Sequence, residues 1–298
     1  MTTLIQTLIS GLRLGSIYAL MALGYTMVYG IAKMLNFAHG DIIMVGAYAV
    51  ISTVSLAQLP GVVGVAVSVV VCVLLGVTIE FLAYRPLRKA QSLAVLITAI
   101  GVSYLLQSLA LLVFKSEPMA FPTIIDIPSV KLGEVVIDGM TILTLAVTAV
   151  IMVSLSLFIN KTRLGKAMRA VSEDKDAAEL MGISVNRTIT MTFAIGSALA
   201  AVASIFYGAT YTYIKPTTGS MPGIKAFTAA VFGGIGSIPG AMLGGILLGI
   251  IEQLSQRYIS TLWTNAIVFG VLVLVLVVKP TGLLGKKMAL TSRACGAI

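Results

Sequence analysis

The chain has 298 residues, of which 58% are hydrophobic and only 10% charged, with a mean hydropathy of +1.04. Soluble domains carry roughly a quarter of charged residues, so a water-soluble globular domain is excluded. A net charge of +9 would point to nucleic acid in a soluble protein; here the basic residues sit in loops between apolar runs, where they set membrane topology instead.

Runs of roughly 20 apolar residues, enough to cross the hydrocarbon core of a bilayer, define the spans. The first, Leu4 to Tyr29, lacks a basic leader and is longer than a signal-peptide core, so it reads as a retained span. Within it, Gly11 and Gly15 form a small-residue face for close helix contact. A polar interruption follows at Asn36-Phe37-Ala38-His39-Gly40-Asp41 and contains the one histidine of the chain. His39 alone reads as an interfacial residue closing a helix end; the cluster of Asn36, His39, Gly40 and Asp41 reads equally as the lining of a water-filled path or a partner site.

The next spans are Asp41 to Ala57, Val62 to Tyr84, Ser92 to Phe114 and Met140 to Ile159. Arg13 and Glu80 lie within spans, and each either reaches the headgroups, Glu80 beside Tyr84 and Arg85, or pairs inside the protein. The loop with Arg85, Arg88 and Lys89 is predicted to be cytoplasmic, and the loop from Lys115 to Asp138, richer in acid than base, extracytoplasmic. Cys72, inside a span, and Cys295, in the tail, indicate neither a disulfide nor a metal cluster.

Residues 160–187 are a charged island: Lys161, Arg163, Lys166, Arg169, Lys175 and Arg187 alternate with Glu173, Asp174, Asp176 and Glu179. Such density marks an aqueous, protein-facing surface. Ser172 is the predicted N-cap of one short helix, Glu173, Asp174 and Asp176 place negative charge in its first turn, and Gly182 after Met181 stops it. Ala177, Leu180 and Met181 are expected on one face. A small helix displayed between two spans is a docking element, which suggests that the protein is driven by something else.

A span from Thr188 to Gly208 follows. Residues 226–254 are too long for one straight span and are interrupted by Gly233-Gly234-Ile235-Gly236-Ser237-Ile238-Pro239-Gly240. The reading is two short membrane helices joined by a tight turn, giving nine crossings if both traverse and eight if one is re-entrant. The break, with Gly233, Gly234, Gly236 and Ser237, could present free backbone groups at membrane depth, where transporters hold polar ligands. Gly236, Gly240 and Gly244, then Gly245 and Gly249, recur at packing spacing. A last span, Asn265 to Val278, leads to a basic tail, 279–298, predicted to be cytoplasmic with the N-terminus outside. The whole is one all-α polytopic membrane domain, 1–298, with about eight or nine transmembrane helices.

No phosphate-cradling loop is present, because the pattern needs Ser or Thr after Gly-Lys, and Gly165-Lys166 is followed by Ala167 and Gly285-Lys286 by Lys287. Gly234-Ile235-Gly236 does not continue into a dinucleotide fingerprint, and a lone histidine without cysteines argues against a catalytic metal. No cofactor and no enzymatic chemistry are indicated.

Gly15-Ser16-Ile17-Tyr18-Ala19-Leu20, Ala22-Leu23-Gly24-Tyr25, Asn36 to Asp41 with Gly46-Ala47-Tyr48, Arg169-Ala170-Val171 with Glu173-Asp174 and Gly182-Ile183, and Gly233 to Gly240 closely resemble the permease subunit of branched-chain amino-acid ABC importers, the LivH type. Asp176-Ala177-Ala178-x-x-x-Gly182 is similar to the E-A-A-x-x-x-G loop of ABC permeases, with Asp for Glu. The resemblance implies a second, homologous permease, two cytoplasmic ATPases and an extracytoplasmic substrate-binding protein as partners in the bilayer. It also implies that the short helix couples to the ATPase, Arg169, Glu173, Asp174 and Asp176 orienting it at the rim while Ala177, Leu180 and Met181 fill a groove. The cargo it implies is branched-chain or other hydrophobic amino acids; urea, other amides and simple sugars are carried elsewhere in the wider family. A self-contained secondary carrier or channel, or a receptor-like subunit, are the alternatives from other classes.

Overall fold

The computed structural model describes residues 2–88, 90–125, 127–132 and 135–285, and these are predominantly helical. The helices are α1 (Thr2–Ala32), α2 (His39–Ile51, extended by a π-helical turn, Ser52–Leu56), α3 (Gly61–Ile79, extended by Glu80–Tyr84), α4 (Ser92–Phe114), α5 (Gly139–Lys161), α6 (Arg163–Glu173), α7 (Lys175–Leu180), α8 (Val185–Tyr211), α9 (Ser220–Gly233), α10 (Ile238–Tyr258) and α11 (Thr264–Val278). Two small antiparallel pairings, β1 (Met119–Ala120) with β4 (Tyr213–Ile214) and β2 (Val130–Leu132) with β3 (Val135–Ile137), tie loops at one end. The tail beyond Gly285, with Lys286, Lys287, Arg293 and Cys295, and also Lys89, lie outside the described residues.

Seven helices are long and apolar enough to cross a membrane, namely α1, α2, α3, α4, α5, α8 and α10, while α11 and α9 have 15 and 14 residues. The expected pair of helices joined by a tight turn is present, α9 ending at Gly233 and α10 starting at Ile238, but α9 starts earlier, at Ser220, and α10 is a full 21-residue helix rather than a short one. Pro222 and Pro239 both fall in first helical turns, where the missing N–H has no partner to lose, so they start these helices rather than break them.

The core is built around α1, whose residues from Leu14 to Val28 are almost all buried. It runs antiparallel to α10 along a glycine seam, in which Gly11 and Gly15 meet the backbone of Gly249, Ile250 and Ile246, and Gly245 meets Ala19. Lipid supplies no hydrophobic drive between helices, so this close backbone approach provides the attraction. A Cβ on Gly249 would overlap the Gly15 backbone, and the seam cannot open without separating α1 from α10. Gly249→Val is expected to abolish accumulation of folded protein, measured as the monodisperse fraction after detergent extraction.

Outer helices are inverted relative to a soluble bundle. Leu105, Leu112 and Val113 of α4 and Leu274, Val277 and Val278 of α11 point outward, as expected where the surrounding medium is hydrocarbon. At one end of α1, Gln6 donates to Val136 O (2.8 Å) and Arg13 ion-pairs with Asp138 (2.6 Å), so Arg13 does not simply reach for the headgroups. At the other end, Lys175 Nζ donates to Ala32 O (3.1 Å). Glu80 is buried there too, ion-paired with Arg88 and accepting from Thr190 Oγ1 (2.8 Å).

Candidate functional site

Two places hold polar groups that the bundle's own packing does not require. The first is the charged island. Thr162 caps α6 by accepting from Gly165 N (3.0 Å), and α6 ends at Glu173 because Asp174 turns to extended backbone. Ser172 is therefore not the N-cap: it lies inside α6, and its hydroxyl donates to Arg169 O (2.7 Å). Asp174 caps α7 instead, accepting from Asp176 N (2.9 Å) and Ala177 N (3.0 Å), since a carboxylate two and three residues ahead of free N–H groups satisfies both. The one expected helix is thus two, with a corner at Asp174. Asp174→Ala is expected to cost about 1 kcal/mol and to fray α7, read as faster amide exchange in 175–180.

Gly182 ends α7 with φ +81°, a left-handed conformation that L side chains resist, while Gly182 N donates to Glu179 O (2.9 Å) and Ile183 N to Ala178 O (3.0 Å). Ala178 is buried beneath α7, but Ala177 is exposed, and Leu180 and Met181 are 89% and 83% exposed. Arg169, Glu173, Asp174 and Asp176 ring this apolar tip in solvent, Arg169 also donating to Asn160 O (3.3 Å). Lys175, whose pKa is lowered by partial burial and by the neighbouring charges of Arg88 and Lys33, anchors the tip to the last turn of α1.

The second place is inside the bundle. The His39 ring lies against Gly24, eight residues before the end of α1 at Ala32, so α2 begins roughly 12 Å inside that end. Residues 33–38 run back along α1 to reach this start. From the opposite side, the chain after α8 returns inward to Gly219, whose backbone meets that of Gly40, and α9 starts there. Two helices therefore begin inside the bundle, nose to nose, and only glycine fits at the contact.

Around this junction Asn36, His39 and Asp41 are all buried. Asn36 Oδ1 accepts from Tyr84 Oη (3.0 Å), and Asp41 accepts from Ser103 Oγ and from Gln107 Nε2 (3.0 Å), which also donates to Ser220 Oγ (3.0 Å). Tyr25 Oη, Asn36 Nδ2 and His39 Nε2 are buried without a hydrogen-bond partner among the described residues. Asn36, Tyr25 and Phe227 line one small void with Ile235 of the α9–α10 turn.

The turn itself carries different work. Gly233 packs on Gly240, Gly234 and Gly236 take positive φ values of +107° and +92°, and Ser237 caps α10 by accepting from Gly240 N (3.2 Å). Its carbonyls are not free as expected: Phe232 O and Gly233 O accept from Leu283 N and Leu284 N, both at 2.9 Å. The chain segment after α11 folds back and satisfies them.

A family model described as branched-chain amino acid transport system, permease component, matches residues 7–277. The chain belongs to this permease family. It is 46% identical to the high-affinity branched-chain amino acid transport system permease protein BraD of Pseudomonas aeruginosa, and 43% to the corresponding protein LivH of Escherichia coli, covering 95% of this chain and 96% of each relative. LivH of Salmonella typhimurium is 42% identical over the same shares.

Two features of the permease escaped sequence reasoning. Lys225 and Glu252 form a buried ion pair (2.6 Å) between α9 and α10, and Tyr18 Oη of α1 donates to the same carboxylate (3.0 Å). Glu252 sits in a recognised span and was the available signal; Lys225 lay one residue outside the expected boundary. Ser103 and Gln107, one helical turn apart on α4, gave no signal, because isolated Ser and Gln in an apolar helix acquire meaning only from what faces them.

Proposed function

We propose that this chain is the membrane-spanning permease subunit of an ATP-binding-cassette importer for branched-chain or other hydrophobic amino acids, with α7 as its coupling helix. It pairs with a homologous second permease, receives cargo from an extracytoplasmic binding protein and is driven by two cytoplasmic ATPases. The observation that carries this reading is the solvent-exposed apolar tip of Leu180 and Met181, held on a rigid stop at Gly182 and tethered to α1 through Lys175. Large apolar side chains standing in water on a six-residue helix have no packing role in the chain itself, and such residues are anchors for a partner's groove. A force on α7 reaches α1, and α1 is the element on which α8, α9 and α10 pack.

Basic residues Lys33, Arg88 and Lys175 gather at the coupling end, which supports a cytoplasmic α7 and C-terminal segment and an extracytoplasmic N-terminus. The cargo assignment draws on the family and on relatives named for branched-chain amino acids. The test is reconstitution in liposomes: leucine uptake is expected only with the ATPases, ATP and the binding protein together. Uptake by the permease alone under an ion gradient would assign it to secondary carriers instead.

A further inference from the structure

We infer that Asp41 is the cargo-contacting anion of the pathway, and that it receives the ammonium group of an amino acid in transit. This inference rests on the proposed cargo and deepens it to one residue. Asp41 is 1% exposed inside a membrane protein. The ion pairs among the described residues are Arg13 with Asp138, Arg88 with Glu80 and Lys225 with Glu252. Glu80 and Glu252, the other carboxylates buried in the bundle, thus each hold a cation, and Asp41 holds only neutral donors, the Ser103 hydroxyl and the Gln107 amide.

A carboxylate has about four acceptor positions, and these two bonds leave room for a further donor. Burying a charge without a counter-charge is expensive, and among the described residues the protein places no cation at the junction to offset it. Tyr25 Oη, Asn36 Nδ2 and His39 Nε2, buried and unpartnered on the same junction, add polar groups beyond what packing uses.

Access is built in. Ser103 and Gln107 lie on α4, a helix with a largely outward-facing surface that is held to α2 by this polar clamp and by the stacked rings of Tyr48 and Phe114 (4.1 Å). Gln107 reaches both Asp41 of α2 and Ser220 of α9, so it spans the seam between the two helices that begin at the junction. A shift of α4 uncovers the carboxylate and the α9 start together. The ammonium takes the acceptor positions left open while α4 is displaced, and the clamp reforms after release. Because the contact is a single charge with exchangeable donors, it is weak enough to leave.

The test uses the whole importer with its ATPases and binding protein, first confirming leucine uptake by the wild type, since its absence would count against the cargo reading alone. Asp41→Asn keeps one oxygen for Ser103, loses the charge and presents an NH2 to Gln107, whose own amide can turn to offer its oxygen. It is expected to lower leucine uptake about tenfold, the loss of one charged contact worth roughly 1.4 kcal/mol, with the unfolding midpoint and binding-protein docking unchanged. Ser103→Ala with Gln107→Leu keeps the charge and removes both neutral donors, and is expected to retain the ammonium-specific protection measured below.

A second measurement reads binding directly. In a Cys295→Ser background, maleimide labelling of Ser220→Cys is expected to slow in the presence of leucine and of isoamylamine, which carries the ammonium alone, and not with isocaproate, which carries the carboxylate alone. Asp41→Asn is expected to remove that protection. Normal uptake by Asp41→Asn overturns the inference, as do equal protection by isocaproate and loss of ammonium protection in the clamp variant.

Discussion

Replacing Lys225 with methionine is expected to cost the permease about 3–5 kcal/mol, because it leaves the Glu252 carboxylate buried among α1, α9 and α10 without its cation. Glu252→Leu is expected to do the same damage from the other side by stranding the ammonium of Lys225. The carboxylate also accepts from Tyr18 and from Gln256 (3.3 Å), so the pair sits in a network that ties three helices together at one point. The double variant Lys225→Met with Glu252→Leu removes both charges and fills the space with apolar atoms, and is expected to recover most of the stability. The unfolding midpoint of detergent-solubilised protein, followed by a thiol-reactive dye reporting exposure of buried Cys72 in a Cys295→Ser background, separates these cases. A double variant as unstable as either single would show that the hydrogen bonds of Tyr18 and Gln256, rather than charge balance, hold the site.

Exposed positions of α7 have the opposite signature. Leu180→Glu combined with Met181→Glu is expected to leave the unfolding midpoint where it was, since both side chains already stand in solvent, and to reduce ATP-driven uptake by more than about tenfold. Truncating apolar anchors that fill a partner's groove commonly costs about 2 kcal/mol or more of binding. Gly182→Val acts through the backbone instead. Its φ of +81° is strained for a β-branched residue by about 1–3 kcal/mol, so the stop at the end of α7 unwinds and the tip loses its aim. ATP hydrolysis is expected to continue while losing its dependence on cargo. Normal uptake and normal cargo-stimulated hydrolysis in both variants would mean that α7 is not where work enters the permease.

Much of the architecture was legible because apolar length and glycine spacing are local signals. The apolar runs mark the long helices, Gly11, Gly15, Gly245 and Gly249 sit in the α1–α10 seam, and the charged island holds the only short polar helices among the described residues. Errors arose where a residue had two local uses. Ser172 and Asp174 are both capping residues, and the choice fell to Asp174 because α6 continues through Ser172. Proline and glycine at 233–240 read as a break with free carbonyls, and only the return of Leu283 and Leu284 shows them satisfied.

By itself the amino-acid sequence determined the medium, the glycine seams and the family, since each follows from residue type and spacing along one segment. Only the tertiary structure decided which buried charges are balanced. Lys225 finds Glu252 across 27 residues and Arg88 finds Glu80 beneath a helix end, while Asp41 meets Ser103 and Gln107 from a helix 62 and 66 residues away and no cation at all among the described residues. Electrostatic compensation is a property of distance in space, and in a chain with so few charges one unmatched partner changes what a site can bind.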